Sequence, residues 1–191
     1  MRNKDIPREE LEKEIMEFLN DTCGMVDPHP VPQGCGIIHR TSLVLATSYG
    51  DEPRATPLEF FNEGLTIYIF GEPGGKIANI KRNPKVCAAI YEQPLDHSKT
   101  QKSLQIWGKA ELINVRNDKK TFMEKVKKWN MLQVGEKVNV PTDKRPQPEE
   151  QKERVEKMLE ALNLIRIEPT RIVLRKYTPD FSMPTHEWKK E

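Results

Sequence analysis

The sequence has little of several features that mark whole classes of protein. Its 191 residues contain only three cysteines and 7% aromatic residues, and the formal net charge is +2. Three cysteines without paired spacing argue against a disulfide-built scaffold and predict a reduced, cytoplasmic protein. A balanced charge without a long basic block gives no case for nucleic-acid binding. No apolar run is long enough to span a bilayer, so no membrane contact is expected.

The composition that remains is that of a protein with a modest core and a highly charged surface. Apolar residues make up 36% of the chain and charged residues 31%. The N-terminal residues lead into an acidic, helix-like stretch, so no secretory signal is expected. We expect one domain over residues 1–191, with an N-terminal helix and loop over 1–36, the main body over 37–177 and a tail over 178–191.

Hydrophobic periodicity predicts the elements of this domain. Helical spacing predicts amphipathic helices over 7–20, 118–130 and 149–163. Apolar runs between turns predict strands over 42–48, 54–61, 65–70, 86–91, 103–115 and 171–177, and polar loops over 92–102 and 136–148. Strands this close together, mostly antiparallel and surrounded by helices, predict a mainly β fold and a small barrel.

A glycine-rich turn between a strand and a short helix is the strongest functional signal. The turn over 71–75 is followed by Lys76 and by a helix that Asn83 and Pro84 end. The first turn of a helix has free backbone N–H groups and favours negative charge, and glycine lets an anion approach them. Lys76 adds a positive charge. The segment therefore predicts a phosphate site, although a tight turn with a solvated lysine gives the same pattern.

Familiar nucleotide motifs do not explain this segment. A P-loop needs four residues between its glycines and a hydroxyl after the lysine, whereas Gly71 and Gly75 are three residues apart and Ile77 follows Lys76. The dinucleotide pattern G-x-G-x-x-G does not occur. We therefore expect neither nucleoside triphosphate hydrolysis nor a Rossmann-type site.

No metal site is predicted. The spacing of Cys23, His29, Cys35 and His39 matches no known metal-ligand pattern. His186, near the C-terminus, is interpreted as a histidine of the tail rather than as a haem ligand.

The order of motifs along the chain resembles the pyridoxamine 5′-phosphate oxidase-like family, the FMN-binding split barrels. The resemblance covers about residues 38–115 and is carried by five segments, with a weaker match over 168–174. The segments are Leu45-Ala46-Thr47, Glu52-Pro53-Arg54-Ala55-Thr56-Pro57-Leu58, Ile67-Tyr68-Ile69-Phe70, the lysine helix over 75–86, and Trp107-Gly108-Lys109-Ala110-Glu111.

This resemblance implies a six-stranded antiparallel split β-barrel that forms a homodimer with FMN at the subunit interface. It implies that the phosphate lies at Gly74–Lys76, that the flavin runs along residues 56–58, and that residues of the partner subunit reach it. The substrate would stack on the exposed flavin face. The cofactor-binding residues expected are Arg54, Thr56, Pro57, Leu58, Phe61, Ile69, Phe70, Gly74, Gly75, Lys76, Ser103 and Gln105, the last two acting across the interface.

The chain departs from the family pattern in its basic residues. Pyridoxamine phosphate oxidases carry arginines near the positions of Thr56 and Gly75 and a lysine near Phe61, and of that set Lys76 remains. The pattern is closer to branches such as the nitroimidazole-reductase-like proteins. Three functions stay open: an FMN-dependent oxidoreductase of a small molecule, a non-catalytic protein that binds flavin, haem or deazaflavin, and a cofactor-free barrel that binds a partner. No side chain stands out as a catalytic acid or base.

Overall fold

The computed structural model describes residues 6–22, 25–26, 38–39, 42–91, 98–132 and 148–191. Within these ranges the chain forms four helices and ten strands. The helices are α1 (Arg8–Thr22), α2 (Gly75–Arg82), α3 (Lys119–Lys128) and α4 (Pro148–Ala161). The strands are β1 (Met25–Val26), β2 (Ile38–His39), β3 (Leu43–Tyr49), β4 (Glu52–Leu58), β5 (Phe61–Glu63), β6 (Thr66–Gly71), β7 (Lys85–Tyr91), β8 (Gln101–Ile113), β9 (Asn163–Tyr177) and β10 (Thr185–Lys189).

One antiparallel sheet dominates the fold. Its strand order is β4-β3-β7-β8-β9-β6-β5, and β10 adds to β9. The two ends of this path, β4 and β5, follow one another in the chain but are not neighbours in the hydrogen-bonded order. The sheet therefore curls into a barrel that is split between these strands, and the predicted mainly β split barrel is confirmed.

Two apolar cores hold the barrel together. The larger one joins α1 to the inward-facing side chains of the sheet, including the fully buried Ile15, Leu45 and Ile106. The smaller one lies beneath α3 and α4, where Phe122 is fully buried and Trp129 stacks on Phe61 at a centroid distance of 4.7 Å. Burial on this scale is the main stabilising term of such a fold.

The strand count differs from the six predicted, because eight strands make up the main sheet of the described residues. The expected strand over 54–61 is two strands, β4 and β5. The strand predicted over 171–177 is β9, which begins at Asn163 because an alternating apolar stretch continues directly from α4. Pro169 lies opposite Gly108 beside a register shift in the β8–β9 ladder, the kind of irregular position where a proline is tolerated within a sheet.

Residues 178–191 are predicted to be a tail, but part of their second half is a strand. Residues 185–189 form β10, which pairs with β9, and Trp188 is 7% exposed. The indole N–H of Trp188 donates a hydrogen bond of 2.5 Å to the Glu12 carboxylate, so the C-terminal strand is fastened to α1. His186 lies within β10 opposite Leu174 rather than in a free tail.

Several expectations fall outside what the structure describes. Cys23, His29 and Cys35 lie outside the described residues, as do most of the loops predicted over 92–102 and 136–148. Among the described residues, no group of three or more His, Cys, Asp or Glu is placed to hold a metal. No helix in the described ranges could cross a membrane. The single-domain organisation and the cytoplasmic location stay predictions.

Candidate cofactor site

Helix α2 follows β6, and no side chain caps the backbone N–H groups of its first turn. Gly74 precedes the helix with φ 158° and ψ −169°, and no side chain caps the helix there. A backbone of this kind is essentially reserved for glycine. Because Gly74 is exposed and carries no Cβ, the approach to the free N–H groups of the first turn is open.

Arg54 lies directly against this helix start. A Cβ added to Gly75 would come within 2.6 Å, 2.7 Å and 2.8 Å of Nε, Cζ and Nη2 of Arg54. The guanidinium therefore occupies the space that a side chain at position 75 would fill. The contact joins β4 to α2 across 21 residues of sequence, and it places a permanent positive charge at the positive end of a helix.

Lys76 brings a second cation to the same turn. Its ammonium Nζ donates a hydrogen bond of 3.2 Å to the carbonyl oxygen of Glu72, and its Cε would lie 3.0 Å from a Cβ at Gly71. The side chain is therefore folded back along the glycine-rich turn and is half-buried. Among the described residues, neither Arg54 nor Lys76 forms an ion pair with a carboxylate. Two cations and a helix start without a counter-charge constitute a suitable seat for an anion.

Strand β4 lies at the edge of the sheet, as expected for the segment that should run along a flavin. Thr56 and Leu58 are half-buried, pair with Leu45 and Leu43, and share the inward face with Arg54. Pro57 alternates onto the outer face, where it is exposed. Its missing N–H is tolerated because β4 has a ladder on one side only.

The side chains of three expected cofactor residues pack in the apolar cores. Phe61 stacks on Trp129, and Ile69 is fully buried opposite Ile165. Phe70 is half-buried and meets Phe61 edge-on at 6.1 Å. The side chains of Phe61 and Ile69 are therefore committed to packing, and their contribution to a ligand would come from the backbone.

Ser103 and Gln105 lie on the opposite face of the sheet from Arg54. The register places them with Arg175, Val173 and Ala89, on the outward side of β8. Both are half-buried. One protomer therefore does not bring these residues to its own phosphate seat, and their action on the cofactor of a second subunit stays a prediction.

The β9–β10 edge of the sheet carries a groove of about 760 Å³, lined by outward-facing residues of β8 and β9 and by residues of both faces of β10. Its floor is formed by β8, β9 and β10, and α1 forms one wall. The lining residues are Ile6, Arg8, Leu11, Gln105, Trp107, Arg171, Val173, Arg175, Thr185, His186, Glu187, Trp188 and Lys189. Four of them are arginine or lysine and one is glutamate, so the groove is basic.

In the groove, Arg171 contacts both an aromatic ring and a carboxylate. Arg171 lies over the ring of Trp107, with Cζ 4.2 Å from the centroid, and its Nε is 2.6 Å from a carboxylate oxygen of Glu187. Desolvation raises the pKa of Glu187, but the charges of Arg171 and Lys189 outweigh it and the net pKa lies below the ordinary glutamate value. Glu187 is therefore ionised at neutral pH.

Sequence reasoning missed this groove. Its residues come from four separate segments, 6–11, 105–107, 171–175 and 185–189, and they meet through the tertiary fold, including the β8–β9 and β9–β10 registers. The one local signal is Trp188, a single large apolar side chain among polar residues, and it is too little to predict a strand.

Comparison with known proteins gives a consistent picture. The family model described as pyridoxamine 5′-phosphate oxidase matches residues 36–175. No curated protein matches the chain. Among solved structures, PhzG from Burkholderia lata, in complex with tetrahydrophenazine-1-carboxylic acid, is 12% identical, with a TM-score of 0.57 over 98% of this chain and 89% of that chain.

Two further structures are similar in fold. A conserved hypothetical protein from Mycobacterium tuberculosis is 19% identical, with a TM-score of 0.52 over 99% of this chain and 89% of that chain. A candidate 5-nitroimidazole antibiotic resistance protein from Bacteroides thetaiotaomicron is 15% identical, with a TM-score of 0.50 over 93% of this chain and 87% of that chain. At these identities the likeness shows the shared fold.

Proposed function

The chain belongs to the pyridoxamine 5′-phosphate oxidase family, and from this premise we propose that it binds FMN and acts as a flavin-dependent oxidoreductase on a small molecule. The observation that carries the proposal is the contact between Arg54 and Gly75 at the uncapped start of α2, beside Lys76. A phosphate monoester would meet two cations and free N–H groups there.

The described residues fit FMN at both ends of this site. Arg54, Gly74, Gly75 and Lys76 would hold the phosphate, and the edge strand at Thr56–Leu58 would offer backbone groups along the flavin. Bound FMN would supply the electron-transfer chemistry, and the protein would supply its position and its electrostatic surroundings.

We further propose that the site is completed in a homodimer. The outer face of β3, β4 and β7 carries small apolar side chains, including Val44 at 39% exposure and Ala89. Ser103 and Gln105 share this face. Packing two such faces together would bring the Gln105 of each subunit, with the groove that it lines, towards the phosphate seat of the other, and the groove would receive the substrate beside the flavin.

FMN titration of charge variants tests the phosphate seat. Lys76→Ala and Arg54→Ala should each weaken FMN binding by about 1.5–3 kcal/mol, the usual contribution of a hydrogen bond to a charged group, or roughly tenfold to 150-fold in Kd. Lys81→Ala is the matched control, because Lys81 lies on the same helix in its last turn. Equal affinity of all three variants and the wild type would refute the assignment.

The dimer and the chemistry are tested separately. Ala89→Glu places a charge in the outer face and should convert the dimer into a monomer by sedimentation, with loss of FMN affinity. Glu153→Gln, on exposed α4, should leave both unchanged. Flavin that bleaches with NAD(P)H and recovers in air would support oxidoreductase activity, whereas flavin that no reductant or substrate reduces would support a binding role.

A further inference from the structure

Three arginines line the groove, and Arg8 is paired with Glu12 and Glu191. Arg175 is exposed and forms no ion pair within the described residues, whereas Arg171 is paired with Glu187 and covers Trp107. Both side chains lie on the same outward face of β9. Among the described residues, the groove therefore offers one guanidinium without a counter-ion, that of Arg175, and two that already have one.

The counter-ion of Arg171 is Glu187 on the neighbouring strand β10. Glu187 lies opposite Val173 in the β9–β10 register, diagonal to Arg171. Long side chains on one face reach such diagonal neighbours. Its carboxylate is 2.6 Å from Nε of Arg171 and 3.4 Å from Nζ of Lys189, so a single acidic group pairs with two cations of the groove.

This arrangement leads to an inference that rests on the proposed function of the groove as a substrate site. We propose that Glu187 is a specificity-determining residue, which acts as a built-in anion for Arg171 and Lys189 and thereby excludes ligands with a phosphate group. A phosphate dianion would have to displace the carboxylate or lie beside it, and the two like charges repel each other. The groove then favours an uncharged or singly charged ligand, for which Arg175 is available.

A pair of ligands that differ only in the phosphate tests this inference. Binding of pyridoxamine 5′-phosphate and of pyridoxamine to the full-length protein is measured by calorimetry for the wild type and for Glu187→Gln and Glu187→Ala. Both variants should bind the phosphorylated ligand about tenfold more tightly than the wild type, because a guanidinium and an ammonium become available. Affinity for pyridoxamine should change by less than about twofold.

Glu111→Gln is the matched control. Glu111 also forms a cross-strand ion pair with an arginine, at 2.6 Å from Nη2 of Arg166, but it does not line the groove. An equal gain in phosphate binding in this variant would overturn the inference, as would no gain in either variant at position 187.

Failure of this inference can be distinguished from failure of the proposed function. FMN titration of the wild type and Lys76→Ala reports on the cofactor site without reference to Glu187. If FMN binds at that site and the Glu187 variants show no phosphate gain, the specificity role is wrong and the cofactor assignment stands. If the phosphate gain is seen in protein that does not bind FMN, the charge arrangement is right and the cofactor assignment fails.

Discussion

Replacing Gly75 by alanine should separate folding stability from cofactor affinity. The new Cβ would lie 2.6–2.8 Å from three atoms of the Arg54 guanidinium. Carbon atoms normally stay about 3.5–4.0 Å from such neighbours, so the guanidinium must move by about 1 Å. Arg54 is exposed and long, so it can move at little cost to the fold.

The two effects should have opposite signs. Alanine is a better helix residue than glycine by up to about 1 kcal/mol, so the free energy of unfolding should stay equal or rise. FMN affinity should fall about tenfold, because the displaced guanidinium no longer reaches the phosphate seat. Thermal unfolding of the apoprotein measures the first quantity, and fluorescence titration with FMN measures the second.

A double-mutant cycle tests whether the loss acts through Arg54. In an Arg54→Ala background, Gly75→Ala has no guanidinium to displace and should leave FMN affinity unchanged. If Gly75→Ala weakened FMN binding equally in both backgrounds, the effect would come from the helix start itself. The contact between Arg54 and Gly75 would then have no part in binding, and that step of the reasoning would be refuted.

Three further predictions concern the fold. Gly108→Ala should destabilise the protein by about 1–3 kcal/mol in chemical denaturation, because its Cβ would lie 2.5 Å from the backbone carbonyl oxygen of Glu168, which cannot move aside; an unchanged midpoint would contradict the bulge geometry. Phe122→Ala should cost about 3–5 kcal/mol by creating a cavity in the smaller core, and a cost below 1 kcal/mol would place Phe122 outside it. Glu14 carries a carboxyl whose pKa is raised by desolvation but lowered overall from 4.5 by hydrogen bonds to Lys176 and Lys102. Because the folded-state pKa is depressed, this carboxyl stabilises the protein above about pH 4.5 and the contribution is lost as pH falls through the folded-state value. Glu14→Gln should therefore reduce the loss of stability on acidification, and an unaltered acid profile would show that the ion pairs contribute nothing.

The sequence predicts the positions of several strands well, but it does not predict how many strands the sheet has. Strands β3, β6, β7 and β8 lie within about two residues of their predicted bounds, because each is an apolar run between clear turns. The start of β9 is not predicted, because the stretch from Leu162 to Ile167 follows α4 with no glycine or proline between them. β10 was missed because one buried tryptophan among polar residues gives no local sign of a partner strand.

Only the part of the candidate site that lies within one local motif could be predicted from the sequence. Gly74, Gly75 and Lys76 form one local motif, and local backbone chemistry indicates an anion. The position of Arg54 against Gly75, and that of Glu187 against Arg171, depends on long-range register and on the path of long side chains. Neither is set by residues nearby in sequence, so composition and periodicity do not reveal them.

A crystal structure of the protein grown with excess FMN is the most direct test of the central claim. We expect the FMN phosphate to lie at the start of α2, within hydrogen-bonding distance of the Arg54 guanidinium and of the backbone N–H groups that follow Gly74. An FMN phosphate bound elsewhere on the protein, with the Arg54–Gly75 contact unaltered and no anion beside it, would contradict the account.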